Sequence, residues 1–148
     1  MEKEIPQFGE PQTGVEYIPR PGAYAIIARS DGHILAVEGT RNRYYLPGGG
    51  LDPGEAEEDG LRREILEELG KEIASIIFLG RANQYVDAFD GHFNKLGSFY
   101  AVELAPGPDA KSDPEHAFCW VTKEAFRARA AHEAQVYAIE KLSLPRER

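Results

Sequence analysis

Three glutamates near the middle of the chain have the spacing that a metal site on a helix requires. Glu64, Glu67 and Glu68 lie at positions i, i+3 and i+4, so an α-helix would bring their carboxylates to one face. Like charges placed in this way repel by roughly 0.2–0.5 kcal/mol per pair, and a bound cation would offset that repulsion. Mg²⁺ suits such a group, because it binds through a few carboxylates together with the phosphates of a substrate. The spacing therefore predicts a magnesium site that handles phosphates.

The acidity of the chain is concentrated around these glutamates. Residues 51–72 contain nine acidic and three basic residues, which accounts for six of the eight net negative charges of the 148-residue chain. A run of charges is ordinarily the solvated face of an amphipathic helix, and that interpretation stays open beside the metal site. Because binding to a nucleic-acid backbone depends on Lys and Arg, the acidic balance predicts no stable nucleic-acid binding.

A helix over residues 55–69 must position the glutamates. Leu61, Ile65 and Leu69 recur at i, i+4 and i+8, which predicts an apolar stripe that faces the core, and Gly70 is placed to end the helix. A glycine run over residues 48–50 lies just upstream, where backbone without side chains can approach an ion closely. We therefore expect the backbone of this run to lie beside the carboxylates.

The remaining pattern predicts a single α+β domain with a mixed sheet between helices. Residues 1–21 contain four prolines and little periodicity, and we interpret them as an extended N-terminal arm that leads into a domain over residues 22–148. Asp-Gly pairs indicate hairpin turns at Asp31 and Asp90. Strands are predicted over 22–29, 33–38, 73–79, 92–104 and 117–121, and further helices after Thr122 and over 132–142.

Nothing in the sequence indicates export or a membrane. Cys119 is the single cysteine, which excludes an internal disulfide framework. The first ten residues mix charges with proline and lack the apolar stretch of a signal peptide. No apolar run approaches the ~18 residues that a membrane span needs. We expect a soluble cytoplasmic protein.

The stretch from Gly49 to Lys71 is similar to the signature of the Nudix hydrolases. In this chain it reads Gly49-x5-Glu55-x7-Arg63-Glu64-Ile65-x-Glu67-Glu68-x-Gly70, and the family signature is G-x5-E-x7-R-E-U-x-E-E-x-G-U, where U is bulky and aliphatic. The last position departs from the signature, because Lys71 stands where the family has an aliphatic residue. We expect Ile73 to supply that packing contact, with no effect on the chemistry.

The resemblance implies a Nudix-type α/β/α sandwich that hydrolyses the pyrophosphate linkage of a nucleoside diphosphate derivative. That small-molecule nucleotide would be an NTP or dNTP, a dinucleoside polyphosphate or a nucleotide sugar. Mg²⁺ would be the cofactor, with Mn²⁺ as an alternative, and a homodimer stays open. Metal ligands would be three side chains and one backbone carbonyl, from Glu64, Glu67, Glu68 and Gly48. Glu55 and Arg63 would pair with each other and so orient Glu64.

Residues outside the motif complete the predicted site. Glu115 lies in the loop before the last strand, from which the family often takes a further acid, so it is a candidate ligand or general base. Of Tyr44 and Tyr45, one should point inward by strand alternation and the other could stack on a base; we take Tyr44 as the substrate contact. Arg41 and Arg43 are candidates for binding a distal phosphate, although exposed loop arginines are ordinary.

Two other classes of protein are compatible with the same fold. The first is a non-catalytic module that binds a nucleotide in a metal-dependent way, in which we would expect at least one motif glutamate to be lost. All of them are present, which favours an enzyme. The second is a related isomerase, which would need a further catalytic cysteine or acid pair, and Cys119 stands alone. The leaving group and the base preference stay open, since Tyr85 and its neighbours match no substrate subgroup of the family.

Overall fold

The computed structural model describes residues 4–107 and 117–142, which form two sheets and three α-helices. The strands of the described part are β1 (Gln7–Phe8), β2 (Ile18–Ile26), β3 (Ile34–Glu38), β4 (Tyr44–Tyr45), β5 (Gly48–Gly50), β6 (Ile73–Ala88), β7 (Gly91–Leu104) and β8 (Ala117–Val121). Its helices are α1 (Glu57–Leu69), α2 (Lys123–Arg129) and α3 (Glu133–Lys141), and a short 3₁₀ turn spans Thr40–Asn42. None of the helices in these two ranges is long and apolar enough to cross a bilayer.

The larger sheet is mixed, and it carries helices on both faces. Its order is β1-β6-β7-β2-β5, with β2 parallel to β7, β1 parallel to β6 and the other pairs antiparallel. Neighbouring residues of β7 point to opposite sides, as the strand period of two requires. Phe99 packs on the side of α3 and Tyr100 on the side of α1. The predicted mixed sheet between helices is confirmed.

The apolar stripe of α1 fixes which face of the helix meets the sheet. Leu61, Ile65 and Leu69 are buried against Ala23 and Ala25 of β2. Full burial of each of the three side chains stabilises the fold by about 1.5–3 kcal/mol. The helix ends at Gly70, which takes the left-handed conformation at φ 68° and donates its N–H to the carbonyl of Leu66. This packing leaves the carboxylates of α1 beside β5.

Three details of the fold differ from the sequence-based expectations. β2 begins at Ile18 rather than at residue 22, because its first residues pair with β7 from Phe93 onward. β6 continues to Ala88, since β7 offers it a partner along its whole length. The turn around Asp31 closes as predicted, but β2 and β3 then enter different sheets, and β3 pairs with β4 and β8 instead.

Part of the predicted N-terminal arm is attached to the larger sheet. β1 extends the sheet by pairing with β6, and the carbonyl of Pro6 accepts a hydrogen bond from the N–H of Asn83. Further along, the hydroxyl of Tyr17 donates to Asp87 at 2.7 Å. Residues on both sides of β1 are therefore held at the edge and far end of the β6–β7 hairpin.

Candidate active site

Glu68 is the most buried of the carboxylates on α1. It is 8% exposed, and its Oε1 accepts a hydrogen bond from the N–H of Gly48 at 2.8 Å. Burial, followed by repulsion from Glu64 and Glu67, raises the pKa of Glu68 to about 7, although the Gly48 hydrogen bond acts in the opposite direction. A carboxylate held in this way has an energetic reason to accept a cation in place of a proton.

Arg63 and Glu55 form a paired contact that joins the start of the motif to the helix. Nε and Nη2 of Arg63 each donate to one oxygen of Glu55, both at 2.9 Å. Oε1 of Glu55 also accepts from the N–H of Asp52 at 2.9 Å. These hydrogen bonds, those from Arg63 first, lower the pKa of Glu55 to about 2. Because Glu55 is engaged before the helix, α1 begins at Glu57, two residues later than the apolar pattern predicts.

The same guanidinium also orients the neighbouring carboxylates. Nη1 of Arg63 donates to Oε1 of Glu64 at 3.0 Å and lies 3.4 Å from Oε2 of Glu67. Nη2 donates to the carbonyl of Gly50 at 3.2 Å. The hydrogen bonds that Arg63 donates to Glu55 raise the pKa of Arg63 further above its ordinary value, so the cation is permanent. Arg63 therefore connects the glycine strand to the acidic face of α1.

Gly49 lets the carboxylate of Glu64 lie against the backbone of β5. A Cβ atom at Gly49 would lie 2.8–3.0 Å from the carboxyl carbon and oxygens of Glu64, closer than van der Waals contact allows. The charges of Glu64 and Glu68 both contribute, after burial, to raising the pKa of Tyr24 to about 12. Tyr24 therefore stays a neutral phenol at the point where these two carboxylates approach β2.

A cavity of about 750 Å³ extends from this point across the face of the larger sheet that α3 covers. Glu68 and the glycine strand form one end, and its remaining wall comes from both sheets and from α3. The side chains on this wall include Arg20, Tyr24, Glu38, Tyr45, Lys95 and Gln135. A cavity of this size, with Glu68 at one end and both apolar and polar side chains along the rest of its wall, suits a small organic phosphate.

The structure places the three predicted substrate residues, Arg41, Arg43 and Tyr44, outside the lining of this cavity. Tyr44 is buried, and its ring stacks on that of Phe126 with centroids 6.3 Å apart. The guanidinium of Arg129 lies over the Tyr44 ring, 4.1 Å from its centroid. Tyr45 lines the cavity instead. In the part of the chain that is described, Arg41 and Arg43 are exposed and do not line it.

Glu115, the candidate further ligand or general base, falls on a segment about which the structure gives no description. The loop over residues 108–116 lies outside the described ranges, so Glu115 stays a prediction from the sequence.

The carboxylates of α1 fit Mg²⁺ by the chemistry of their donor atoms. Within residues 4–107 and 117–142, no three acidic, histidine or cysteine side chains form a complete metal cluster. Glu64 and Glu67 are engaged by Arg63, and Glu68 by Gly48. Mg²⁺ does not need a complete protein cage, because it commonly binds one or two carboxylates and takes its other ligands from water and substrate phosphates. Glu64 and Glu68, which both approach Tyr24, are the two that fit this description.

Comparison with known proteins places the chain in a family. A model of the NUDIX domain matches residues 18–142, so the chain belongs to the NUDIX family. The chain is 38% identical to the "Putative 8-oxo-dGTP diphosphatase 2" of Mycobacterium tuberculosis (strain ATCC 25618 / H37Rv) over 80 residues. These 80 residues are 54% of this chain and 54% of that protein. The match thus spans about half the length of that relative. A "MutT-like protein" of Streptomyces ambofaciens is 28% identical over 123 residues, 79% of this chain and 71% of that one.

A solved structure extends the likeness to the whole fold. The crystal structure of a MutT NUDIX hydrolase from Burkholderia pseudomallei superposes with a TM-score of 0.69 at 28% identity. The superposition covers 84% of this chain and 98% of that one. The α/β/α architecture is therefore shared along nearly the full length of that protein.

Several residues of the cavity carry no signal in the local sequence. Lys95 and Gln135 belong to different elements, and nothing in the spacing of either residue points to the motif. The sequence shows only that Lys95, Gly97 and Phe99 alternate on one face of a strand. Which helix covers that face depends on contacts between distant parts of the chain. His132, the first residue of the helix predicted over 132–142, is the N-cap residue of α3.

Proposed function

We propose that the protein is a Mg²⁺-dependent pyrophosphohydrolase that acts on a nucleoside diphosphate derivative. The observation that carries this proposal is the placement of Glu68 and the glycine strand in the lining of the 750 Å³ cavity. The carboxylate of Glu64 lies against Gly49 of that strand and is hydrogen-bonded to Arg63, which Glu55 holds. The diphosphatase name of the M. tuberculosis relative supports the same class of reaction. The substrates within this class are nucleoside triphosphates, dinucleoside polyphosphates and nucleotide sugars.

Each residue of the site has a role in this reaction. Glu64 and Glu68 would hold the metal, with Glu67 and the carbonyl of Gly48 as further ligands. When bound, Mg²⁺ neutralises charge on the diphosphate and lowers the pKa of the attacking water. Arg63 holds Glu64 at the glycine strand, so that the ligands are in position before the substrate arrives.

The cavity supplies the second requirement, a place for the rest of the nucleotide. With the diphosphate bound near Glu68, the nucleoside extends between the larger sheet and α3, along Tyr24 and Tyr45. Burial of an organic group there provides binding energy away from the reacting phosphorus atoms, which an enzyme can use for positioning. The cytoplasmic location, the lack of stable nucleic-acid binding and the possible homodimer stay predictions from the sequence.

A substrate panel tests the proposal directly. The purified full chain is incubated with dNTPs, NTPs, dinucleoside polyphosphates and nucleotide sugars, with Mg²⁺ and with EDTA, and the products are separated by anion exchange. We expect Mg²⁺-dependent release of a nucleoside monophosphate from at least one class. Tight, Mg²⁺-dependent binding without any product would identify a binding module and contradict the enzyme. Equal turnover in EDTA would contradict the role of the carboxylates.

A further inference from the structure

Lys95 is a cation inside the cavity that no acidic side chain of the described chain neutralises. It lies on β7, lines the cavity and is partly buried, and this burial lowers the pKa of its ammonium group. Its polar contact within the described ranges is with the ring of His132, at 3.4 Å from Nζ to Nε2. A buried lysine that is not paired with a carboxylate is costly, and a ligand that accepts its hydrogen bonds would recover that cost.

His132 holds the ammonium group in place and leaves its charge intact. Burial, and then the charge of Lys95, lower the pKa of His132 to about 4, so the ring is neutral near pH 7. A neutral ring can accept one hydrogen bond from Lys95 through Nε2. The ring of Tyr45 packs edge-on against the ring of His132, with centroids 5.4 Å apart. An ammonium group has three N–H donors, so two remain for a ligand in the cavity.

Gln135 presents a second donor to the same cavity. Its side chain is 4% exposed, and its Oε1 accepts a hydrogen bond from the N–H of Leu46 at 2.8 Å. That hydrogen bond engages Oε1 and so fixes the orientation of the amide, which leaves the Nε2 amino group available as a donor. Among the described residues, Nε2 has no hydrogen-bond partner, and Gln135 lines the cavity beside Lys95. Glu38 also lines the cavity, but its side chain is exposed and its Oε1 lies 3.7 Å from Nη2 of Arg129.

The strand register places Lys95 at the nucleoside end rather than at the phosphate end. Lys95 pairs with Arg20 of β2, whereas Gly48, which contacts Glu68, pairs with Tyr24 of the same strand. Four residues of β-strand separate the two levels, or roughly 13 Å. That separation is comparable with the span between the diphosphate of a nucleotide and its base. A phosphate bound to the α1 carboxylates would therefore leave the base near Lys95.

We propose that Lys95, held by His132 and assisted by Gln135, selects bases that present a carbonyl oxygen, above all a 6-oxopurine over adenine. Guanine offers O6 and N7 as two acceptors, whereas adenine replaces O6 by an amino group that donates. The N–H donors of Lys95 and Gln135 match the two acceptors of guanine. Against adenine, one of these donors would face the N–H groups of the 6-amino group, with which it cannot form a hydrogen bond. This inference rests on the proposed function, because it takes the diphosphate to lie at the carboxylates.

The test compares substrate preference in the wild type and in Lys95→Met, which keeps the length of the side chain and removes the donor. We expect the wild type to favour dGTP and dITP over dATP in kcat/KM by tenfold or more. In Lys95→Met that ratio should fall by about ten- to a hundredfold, the range that one base contact provides. Lys95→Arg, which still donates, should keep most of the ratio. Lys141→Met, an exposed lysine on α3 outside the cavity, serves as the matched control and should keep the wild-type ratio.

Two further arms keep the proposal testable if a variant fails to fold or if nothing is hydrolysed. On the wild type, the triphosphate of 2-aminopurine deoxyriboside, which lacks both the 6-oxo acceptor and the 6-amino donor, should fall between dGTP and dATP in kcat/KM. Binding of the α,β-methylene analogues of dGTP and dATP, measured by calorimetry, reports the same preference without turnover. Hydrolysis that fails while this binding preference persists would overturn the proposed function and support Lys95 as the selecting residue. An unchanged ratio in Lys95→Met, no preference in the wild type, or no binding of either analogue would overturn the proposal.

Discussion

Arg63 and Glu55 are joined by two hydrogen bonds of 2.9 Å each, one to either oxygen of the carboxylate. Glu55 precedes α1 and Arg63 lies in its second turn, so the pair fastens the loop after the glycine strand to the helix. The third nitrogen of Arg63 donates to Glu64. The position of a predicted metal ligand is thus determined by two residues that do not bind the metal themselves.

Breaking this pair should lower activity more than stability. In Arg63→Lys the ammonium group can keep one hydrogen bond but not the planar pair to Glu55, and Glu64 loses its fixed orientation. We expect kcat to fall by about ten- to a hundredfold, the effect typical of residues that orient metal ligands. Arg62→Lys, at the neighbouring position where the side chain donates to the carbonyl of Ile73, is the matched control and should stay within about threefold.

A double-mutant cycle with Glu55→Gln checks the same contact. Because each substitution removes the same Arg63–Glu55 interaction, the double variant should be little less active than either single variant, and the two losses of activity should not multiply. Losses that multiply would mean that Arg63 and Glu55 act independently, contrary to the geometry.

The glycine strand provides a steric test of the site. Gly49→Ala would place a methyl group 2.8–3.0 Å from the carboxylate of Glu64, whereas Gly50→Ala meets its nearest atom at 3.9 Å. Neither glycine has a positive φ, so backbone conformation does not separate the two variants. We expect Gly49→Ala to lose activity by a hundredfold or more with a folded circular dichroism spectrum, and Gly50→Ala to stay within about threefold. Equal losses in both would show that the strand, and not Glu64, is the sensitive element.

The local parts of the fold were predictable because a few residues determine them. The stripe of Leu61, Ile65 and Leu69 predicts α1 and its buried face, and the cap of Thr122 on the N–H of Ala125 confirms the predicted start of α2. The turn at Asp90-Gly91 joins β6 to β7, as the dipeptide predicts. The placement of Glu64, Glu67 and Glu68 on one helix was predictable too, since their spacing follows the helical repeat.

The remote parts were not predictable from local patterns. The two edges of β2 pair with β5 and β7, which are distant in the sequence, and the predicted hairpin with β3 is represented by the bridge between Ala28 and Ile34. Lys95 and His132 are 37 positions apart, and no spacing rule links a strand residue to the cap of a distant helix. Strand alternation left open which of Tyr44 and Tyr45 points inward, and Arg129 and Phe126, which hold Tyr44 in the core, come from α2.

Substitutions at the two tyrosines should separate substrate binding from stability. Tyr45→Leu removes an aromatic wall of the cavity, so we expect KM for the nucleotide to rise by about tenfold. Tyr44→Phe removes the hydroxyl that accepts a hydrogen bond from Arg129 at 2.8 Å, and we expect a stability loss of about 1 kcal/mol with KM unchanged. Steady-state kinetics and thermal melting measure the two effects. A rise in KM for Tyr44→Phe would support the original assignment of Tyr44 as a substrate contact.

The neutral state of His132 predicts a pH dependence of stability. Its pKa is about 4 in the folded protein against an ordinary 6.5, so between these values the unfolded chain binds more protons. The stability that the fold gains by holding His132 neutral is therefore fully present above pH 6.5 and is lost as the pH falls towards 4. Relative to the non-titrating His132→Gln, we expect the wild type to lose on the order of 2 kcal/mol of unfolding free energy between pH 7 and 4.

The comparison with His132→Gln matters because Glu68 titrates in the opposite sense. Its pKa of about 7 lies above the ordinary value, so its protonation favours the folded state as the pH falls. Both proteins contain Glu68, and the difference between their urea-denaturation curves isolates His132. A difference that stays constant from pH 7 to 4 would contradict a buried neutral ring.

The most direct measurement of the central claim is the Mg²⁺ dependence of hydrolysis in Glu68→Gln against Glu58→Gln. Glu58 is an exposed glutamate on the same helix, so the control removes an equal charge away from the cavity. With the substrate that the panel identifies, we expect Glu68→Gln to lose a hundredfold or more in kcat and to need more Mg²⁺ for half-maximal rate, while Glu58→Gln stays within about twofold of the wild type. A Glu68→Gln variant with wild-type kcat and Mg²⁺ dependence would contradict the account.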